Sequence, residues 1–422
     1  MLSARALKTS SQLDIPWRFV PGGPLYDPER NPDAVISFAT AENALVHQEV
    51  ADFVNSRVTF SASTFTYSFS TGGGPQFPKV LAAHLNEFFA PYKELDGHEI
   101  INTGAATALH EILAFSLGDP GDGVLLSRPG YGRFELDFGN KAHMSVVWSD
   151  TEAENCCAPE VVEYFEKTLG ESNEAGVKIR MLFISNPHNP LGRCYPRETL
   201  VAIMKFCQRH QIHFVSDEIY ALSVFDSGES DTLPFTSVLS IDPTGIIDTD
   251  LVHVTYGMSK DYGCAGLRVG ALITRNQSLL KSAKSIVRFH NPSGPSLAIA
   301  TAMLEDRAWC RAFLANTQAK IAEAYGSFTK ELRNMGIRYL PGSNAGLFLW
   351  VDFTPYLPPE HLSHEERQFS LAQKILDSGV FVQPGEEHAL RPGWFRLVYT
   401  LDPRAAREGL RRLKAVLQHI KW

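Results

Sequence analysis

The chain has 422 residues, of which 44% are hydrophobic and 20% are charged. This composition is ordinary for a globular protein with a large core, so it excludes disordered and collagen-like classes, and the length fits two or three domains. The 39 basic and 47 acidic residues give a net charge of −8, which disfavours nucleic-acid binding. No apolar run approaches the roughly 18–20 residues of a membrane span.

At the amino terminus, Arg5 and Lys8 precede the first acid, Asp14, a composition that faintly resembles a transit peptide. The segment lacks the apolar stretch of a secretory signal, and we expect a structured or floppy tail on a cytoplasmic protein. The six cysteines show neither a C-x-x-C pair nor a zinc-like spacing with histidine. They indicate free thiols in a reducing compartment, and no metal site is predicted.

Short apolar runs, each followed by a polar or glycine-containing loop, recur through the middle of the chain. They cover residues 123–127, 180–185, 213–216, 251–256 and 269–274, and this pattern predicts buried parallel strands. Helix-like stretches at 78–89 and 198–210 accompany them. Such alternation predicts an α/β fold with a doubly wound, mostly parallel sheet, in which ligands bind beyond the carboxyl ends of the strands.

The last third of the chain has a mixed pattern that predicts a smaller α+β domain. An Ala-rich helix over 296–328 links it to the sheet; strands near 347–351, 380–383 and 394–400, a helix near 365–378 and a closing helix from residue 403 follow. We predict an amino-terminal arm and part of the small domain in residues 1–60, a large domain in 61–300 and a small carboxyl-terminal domain in 301–422.

Four loops hold side chains whose types make chemical sense together. They are N-P-H-N-P-L-G from Asn186, S-D-E-I-Y from Ser216, Y-G-M-S-K-D-Y-G from Tyr256, and G-L-R-V-G around Arg268. Each has a plainer interpretation, since Asn-Pro forms turns, an acid at the end of a strand caps helices, and a lysine can be solvated. However, Lys260 directly follows a buried strand, where desolvation would lower the pKa of its amine and make it a nucleophile.

Taken together, these loops resemble the fold-type-I pyridoxal phosphate (PLP) enzymes of the class I/II aminotransferase family. The resemblance lies in the order Asn, Asp-x-x-Tyr, Ser-Lys and Arg. A finer pattern is similar to the branch of 1-aminocyclopropane-1-carboxylate (ACC) synthase-like proteins. It consists of A-E-N at 41–43, S-N-A-G-L-F at 343–348 and P-G-W-F-R at 392–396.

The resemblance implies PLP as the cofactor and a role for each matching residue. Lys260 would form the Schiff base with PLP and then act as the base at Cα, and Asp217 would pair with the pyridine nitrogen, which keeps the ring an electron acceptor. The other implied cofactor ligands are Asn189 and Tyr220 at the phenolate oxygen, Tyr131 stacked on the ring, and Ala105, Ala106, Thr107, Ser259 and Arg268 at the phosphate, where a helix amino terminus suits an anion.

Three further residues are implied at the substrate. Arg396 would grip the α-carboxylate in a bidentate pair. Ala41 and Glu42 belong to the A-E-N segment that is typical of the ACC synthase-like branch. Lys260, Tyr131 and Tyr220 are the predicted catalytic residues.

The sequence departs from the family pattern at three places. Thr71 stands where the family has a tyrosine that reaches the cofactor phosphate of the neighbouring subunit, and Tyr67 or Phe69 could replace it only if the loop shifts. Gly257 stands where a serine usually binds the phosphate. Arg391 stands where the branch often has an acid; it could meet a second anionic group of the substrate, although a solvated charge is the plainer interpretation.

The resemblance implies an enzyme that forms an external aldimine and a Cα carbanion from an amino acid. We predict elimination or cyclisation at the γ or β carbon, of carbon–sulfur lyase type, with S-adenosylmethionine or a sulfur-containing amino acid as candidate substrate. The alternatives are an aminotransferase that passes the amino group to a 2-oxo acid, and a PLP-binding protein without turnover. The family builds each site from two subunits, which implies a homodimer that binds a small amino acid, with neither nucleic acid nor membrane as partner.

Overall fold

The computed structural model describes residues 1–14, 19–384, 389 and 391–422. The described strands are β1 (Ile36–Ser37), β2 (Ile100–Thr103), β3 (Gly123–Arg128), β4 (Ser145–Asp150), β5 (Ile179–Ser185), β6 (His213–Asp217), β7 (Val252–Gly257), β8 (Gly270–Thr274), β9 (Arg338–Tyr339), β10 (Phe348–Asp352), β11 (Val380–Phe381) and β12 (Trp394–Val398). The described helices are α1 (Ala4–Ser10), α2 (His47–Arg57), α3 (Tyr67–Ser70), α4 (Phe77–Phe88), α5 (Ala106–Leu117), α6 (Phe134–Gly139), α7 (Val161–Glu174), α8 (Arg197–His210), α9 (Gln277–Ile286), α10 (Gly294–Glu305), α11 (Arg307–Asn334), α12 (His364–Asp377) and α13 (Pro403–His419).

A seven-stranded sheet with the order β2-β8-β7-β6-β5-β3-β4 lies at the centre of the fold. One face is covered by apolar side chains of α4, α7, α8 and α10, and the other by those of α5, α6 and α9. Because both faces are covered, the strands read as continuous apolar runs in the sequence. The predicted α/β fold class with a doubly wound, mostly parallel sheet is confirmed.

The prediction that residues 269–274 form a parallel strand was wrong. Strand β8 pairs antiparallel with both β7 and β2, whereas the β3–β4, β3–β5, β5–β6 and β6–β7 pairs are parallel. A parallel partner needs a long crossover, usually a helix, and the connection from Gly257 to Gly270 contains only a short 3₁₀ turn. The chain therefore doubles back, and Lys260 lies in this connection.

A second core lies outside the large sheet. It packs the small sheet β12-β10-β9 against α12, α13 and the carboxyl-terminal half of α11. Ile36 and Phe38 from the amino-terminal part of the chain belong to the same core, and β1 pairs in parallel with β11. The two ends of the chain thus meet in one core, while the domain boundaries given above remain predictions.

The Ala-rich segment predicted as one helix over 296–328 forms two helices, so that prediction was wrong. The break is at Asp306, whose carboxylate accepts a hydrogen bond from Trp309 N at 3.0 Å and thereby caps α11. Helix α11 packs Phe313 against the core of the large sheet and Phe328 against the second core, so it connects the two. No helix in the described part of the chain is long and apolar enough to cross a membrane.

Candidate active site

A cavity of about 200 Å³ opens between the carboxyl ends of β5, β6 and β7 and side chains of the second core. The polar loops after parallel strands end at this edge of the sheet, as the fold class predicts. Apart from Glu42, every site residue predicted from the sequence lines this cavity: Ala41, Ala105, Ala106, Thr107, Tyr131, Asn189, Asp217, Tyr220, Ser259, Lys260, Arg268 and Arg396.

Lys260 lies in the loop from β7 to β8 and reaches across to the amino-terminal segment. Its Nζ donates a hydrogen bond to the carbonyl oxygen of Ala41 at 2.6 Å. Burial, with a smaller contribution from the charge of Arg396, lowers the pKa of the Lys260 amine to about 8. About a tenth of such an amine is unprotonated at pH 7, far more than of an ordinary lysine, so it can act as a nucleophile and as a base.

Asp217 is the last residue of β6 and is 2% exposed. Thr255 Oγ1 donates a hydrogen bond to Asp217 Oδ1 at 2.7 Å. Burial raises the pKa of the carboxyl group, while the charge of His110 and the Thr255 hydroxyl act against this rise. A buried carboxylate gains from a cationic partner, and the protonated pyridine nitrogen of PLP is a group of that kind.

Arg396 on β12 points a buried guanidinium at the opposite wall of the cavity. It donates hydrogen bonds to Asn189 Oδ1 at 3.0 Å and to the carbonyl oxygen of Ala39 at 2.7 Å. Its guanidinium lies 5.7 Å from the ring centre of Tyr131 and 5.2 Å from that of Phe348. Since Asn189 Oδ1 already accepts from Arg396, the amide nitrogen is the donor that Asn189 can offer to an oxygen of the cofactor.

The amino terminus of α5 forms one end of the cavity. Ala105 precedes this helix with φ of 80°, and no described side chain caps the helix, which leaves the first backbone N–H groups for an anion. Gly270 makes this approach possible because a Cβ there would lie 2.8 Å from Ala105 Cα. Ser259 and the exposed Arg268 line the cavity as well. This set of donors fits a phosphate group.

Tyr220 and Tyr131 supply two aromatic walls. Burial raises the pKa of the Tyr220 phenol, which keeps its hydroxyl protonated and able to donate a hydrogen bond. The Tyr220 ring contacts Phe348 edge-on, with centroids 5.3 Å apart. The Tyr131 ring similarly meets Phe134 edge-on at 5.2 Å, so packing fixes both rings.

The departures from the family pattern have structural counterparts. Gly257 lines the cavity, and a Cβ there would lie 2.9 Å from the carbonyl oxygen of Val269, so a serine would require the backbone to shift. Thr71 is exposed and donates its hydroxyl hydrogen to the carbonyl oxygen of Tyr67 at 2.8 Å, and Tyr67 itself is 93% exposed. Arg391 pairs with Glu152 at 2.8 Å instead of lining the cavity.

Glu42 has an exposed side chain, and its place at the substrate remains a prediction. The hydroxyl of Thr400 donates a hydrogen bond to the backbone carbonyl oxygen of Glu42 at 2.6 Å, and this contact anchors the A-E-N segment. The negative charge of Glu42 also raises the pKa of the nearby Lys260 amine, against the effect of burial. The A-E-N segment therefore acts on the lysine by contact and by charge.

The sequence interpretation missed six polar residues of the cavity lining: Thr40, His110, Arg133, Asp137, Ser185 and Gln383. His110 and Asp137 face each other, with His110 Nδ1 2.8 Å from Asp137 Oδ2. Gln383 lies beside Arg396, which donates to its side-chain oxygen at 3.4 Å. A signal existed for His110 alone: it lies one helical turn after Thr107, on the same face of the helix.

We expect the apoprotein to capture PLP faster as the pH rises, with the increase centred at about pH 8. Only the unprotonated Nζ of Lys260 attacks an aldehyde. An ordinary lysine has a pKa of about 10.4, so the lowered pKa of Lys260 makes the unprotonated amine abundant at a lower pH. Stopped-flow absorbance measures this midpoint. A midpoint close to that of an ordinary lysine would contradict the buried amine, and Lys281→Ala, at an exposed lysine on α9, should leave the profile unchanged.

The chain is similar to known proteins along almost its whole length. Residues 35–413 match the family described as aminotransferase class I and II. The probable aminotransferase sirI of Leptosphaeria maculans is 29% identical over 417 residues, covering 98% of this chain and 97% of that protein. The 1-aminocyclopropane-1-carboxylate synthase 2 of Cucurbita pepo is 30% identical over 417 residues, covering 96% of this chain and 82% of that protein.

Solved structures agree with the fold. The aspartate aminotransferase from Thermus thermophilus with maleate superposes with a TM-score of 0.74 at 19% identity, covering 99% of this chain and 97% of that one. At this identity the likeness concerns the fold alone.

Proposed function

The chain belongs to the family of class I and II aminotransferases, which use pyridoxal phosphate, and we propose that it is a PLP-dependent lyase of the ACC synthase-like type. Its substrate would be S-adenosylmethionine or another sulfur-containing amino acid, cleaved at the γ or β carbon. The observation that carries this proposal is the 2.6 Å contact between Lys260 Nζ and Ala41, because it brings the A-E-N segment against the reacting amine. Similarity to the ACC synthase of Cucurbita pepo supports it.

Each cavity residue has a defined task in this reaction. Arg396 holds the α-carboxylate of the substrate with two parallel hydrogen bonds, which fixes the orientation of Cα. Lys260 Nζ, with a pKa of about 8, takes the proton from Cα. When bound, PLP supplies a conjugated ring that accepts the electron pair left at Cα.

Three other residues keep the ring in the required state. Asp217 holds a proton at the ring nitrogen, and Tyr220 and Asn189 donate hydrogen bonds to the ring oxygen. The electron pair from Cα would then form a Cα–Cβ double bond, or the Cα–Cγ bond of a three-membered ring. The sulfur-bearing group would leave with the electron pair of its own bond to the β or γ carbon. The phosphate is held by the amino terminus of α5 with Ser259 and Arg268.

An aminotransferase is the second candidate function. It is favoured by the similarity to the probable aminotransferase of Leptosphaeria maculans, which extends over 98% of this chain. In that reaction Lys260 would move the proton taken from Cα without the loss of a side-chain group, and the amino group would pass to a 2-oxo acid. A binding protein without turnover is disfavoured because Lys260 and Asp217 both line the cavity.

Product analysis with a substrate labelled with ¹⁵N at the α-amino group separates the candidates. The holoenzyme is incubated with S-adenosylmethionine, cysteine S-conjugates and common amino acids, with and without a 2-oxo acid, and products are identified by mass spectrometry. A lyase needs no 2-oxo acid and forms pyruvate or 2-ketobutyrate with a thiol and labelled ammonia, or ACC with methylthioadenosine. An aminotransferase would instead form a new labelled amino acid from the added 2-oxo acid, together with one equivalent of the 2-oxo acid that corresponds to the labelled substrate. That result would contradict the lyase. Lys260→Ala controls for contaminating activity.

We also propose that the protein is a homodimer. Exposed aromatic side chains gather beside the phosphate end of the cavity: Phe65 is 71% exposed, Tyr67 93% and Phe289 76%. Gly104, just before α5, donates its N–H to the carbonyl oxygen of His290, which ties this surface to the phosphate-binding turn. Such an apolar patch indicates a protein interface.

Phe65→Glu is expected to shift the protein toward the monomer and to weaken PLP binding. Sedimentation velocity measures the first effect, and cofactor titration measures the second. Phe115→Glu is the matched control, because Phe115 is 64% exposed on α5 but lies outside the patch. An active wild-type protein that sediments strictly as a monomer would exclude the homodimer.

A further inference from the structure

His110 is a buried histidine for which the proposed reaction has no use. It is 3% exposed, lies on α5 one turn after the phosphate-binding residues, and lines the same cavity as Asp217. Its Nδ1 is 2.8 Å from Asp137 Oδ2, and its Nε2 has no hydrogen-bond partner among the described residues. A buried ring nitrogen without a partner is costly and calls for an explanation.

Three phenylalanine rings surround the imidazole. The ring centroids of Phe134, Phe138 and Phe183 lie 5.4, 5.6 and 5.1 Å from that of His110. This wall keeps water away, and charges in such surroundings interact more strongly than they would in water. The charge state of His110 is therefore felt by the other charges that line the cavity.

Two carboxylates act on His110: Asp137 from α6 through the hydrogen bond, and Asp217 from β6, at the same cavity, through its charge. The hydrogen bond and the charge of Asp137, with a smaller effect of Asp217, raise the pKa of His110 in spite of its burial. In return, the charge of His110 lowers the pKa of Asp217, which burial raises. The positive charge of His110 is thus paired with Asp137 by contact and favours the ionised form of Asp217.

We propose that His110, held in its cationic form by Asp137, is a positioning residue that keeps Asp217 ionised for the ring nitrogen of the cofactor. This inference rests on the proposed PLP-dependent function. The carboxylate of Asp217 has a single described hydrogen-bond donor, Thr255. Besides His110, Lys260 is the cation that acts on Asp217, and its amine is the group that bonds to PLP. Without His110 the buried charge is poorly compensated, so a neutral carboxyl group would form and the ring nitrogen would lose the anion that holds its proton.

The test compares the binding of two ligands to the apoprotein by titration. One ligand is PLP, and the other is its analogue with carbon in place of the ring nitrogen. Both ligands use the same lysine and phosphate site, so the ratio of their dissociation constants reports the ring nitrogen alone. The wild type should prefer PLP by about tenfold or more, the range of a hydrogen bond between charged groups.

His110→Gln should lower this preference about fivefold or more, because glutamine fills the space without a positive charge. Asp137→Asn should act in the same direction, and Asp217→Asn sets the lower limit of the ratio. His84→Gln is the matched control: His84 is equally buried but outside the cavity, beside Arg307. If His110 had only a structural role, its substitution would weaken the binding of both ligands alike and leave the ratio of their dissociation constants unchanged.

An unchanged ratio in folded His110→Gln overturns the inference, as does an equal loss in His84→Gln. If His110→Gln fails to fold, Asp137→Asn decides, because the Asp137 side chain is partly exposed and tolerates substitution better. An unchanged ratio of dissociation constants in Asp137→Asn also overturns the inference. A wild type that binds both ligands equally would refute the role of Asp217 and this inference with it. The labelled-product experiment judges the proposed function separately.

Discussion

Lys260→Ala is expected to lower kcat by about 10⁴-fold, because the variant loses both the group that bonds to PLP and the base at Cα. No second lysine lines the cavity as described, so no other side-chain amine is at hand to replace it. PLP should still bind through the phosphate site and Asp217, but it should be removable by gel filtration. The visible absorbance of the covalently bound cofactor should be absent.

Three measurements make this result specific. Borohydride reduction and peptide mass spectrometry should place PLP on Lys260 in the wild type and on no peptide in the variant. Added methylamine should restore part of the activity, since a small amine can act as the base in the space that the side chain leaves. Lys281→Ala should behave as the wild type, and an unchanged absorbance spectrum in Lys260→Ala would refute the assignment.

The sequence predicted five of the seven strands of the central sheet, β3 and β5 to β8, because they are buried on both faces, and it missed the two edge strands, β2 and β4. The run 180–185 holds Met181, Leu182, Phe183 and Ile184 in a row, and the structure places β5 there. Strand β6 covers the predicted run 213–216 and ends at Asp217. The same property hides strand direction: β8 is as apolar as its parallel neighbours, and only the lack of a crossover helix between β7 and β8 distinguishes its antiparallel pairing. The break between α10 and α11 was missed because Asp306 interrupts a pattern that is otherwise helical on both sides.

The sequence predicted those residues of the site that lie in recognisable motifs and missed the others. Lys260, Asp217 and Arg396 lie in the motifs quoted above, and the structure brings them to one cavity. His110 and Asp137 belong to no such motif, and they are 27 positions apart in the chain, so their contact depends on how α5 packs against α6. Contacts of this kind follow from tertiary packing, which local patterns do not encode.

Arg396→Gln is expected to lower kcat/KM for the best amino-acid substrate by roughly 30- to 5,000-fold, which corresponds to the loss of about 2–5 kcal/mol from a buried charge pair. Arg396 is 3% exposed and oriented by Asn189 and Ala39, so its guanidinium is already ordered for a carboxylate. Most of the effect should be a higher KM, because the α-carboxylate is unchanged between the bound substrate and the transition state. The kcat/KM of Arg396→Lys should lie between those of the wild type and Arg396→Gln, because lysine keeps the charge and loses the bidentate geometry.

Two further results would tie this loss to the carboxylate. The wild type should bind an amino acid better than the amine that lacks its carboxylate, and Arg396→Gln should lose this preference. The charge of Arg396 also lowers the pKa of Lys260, so the midpoint of PLP capture should move to higher pH in Arg396→Gln. Arg391→Gln is the control, because Arg391 pairs with Glu152 outside the cavity. Should Arg391→Gln abolish the preference for the amino acid while Arg396→Gln retains it, the carboxylate site would have to be moved to Arg391.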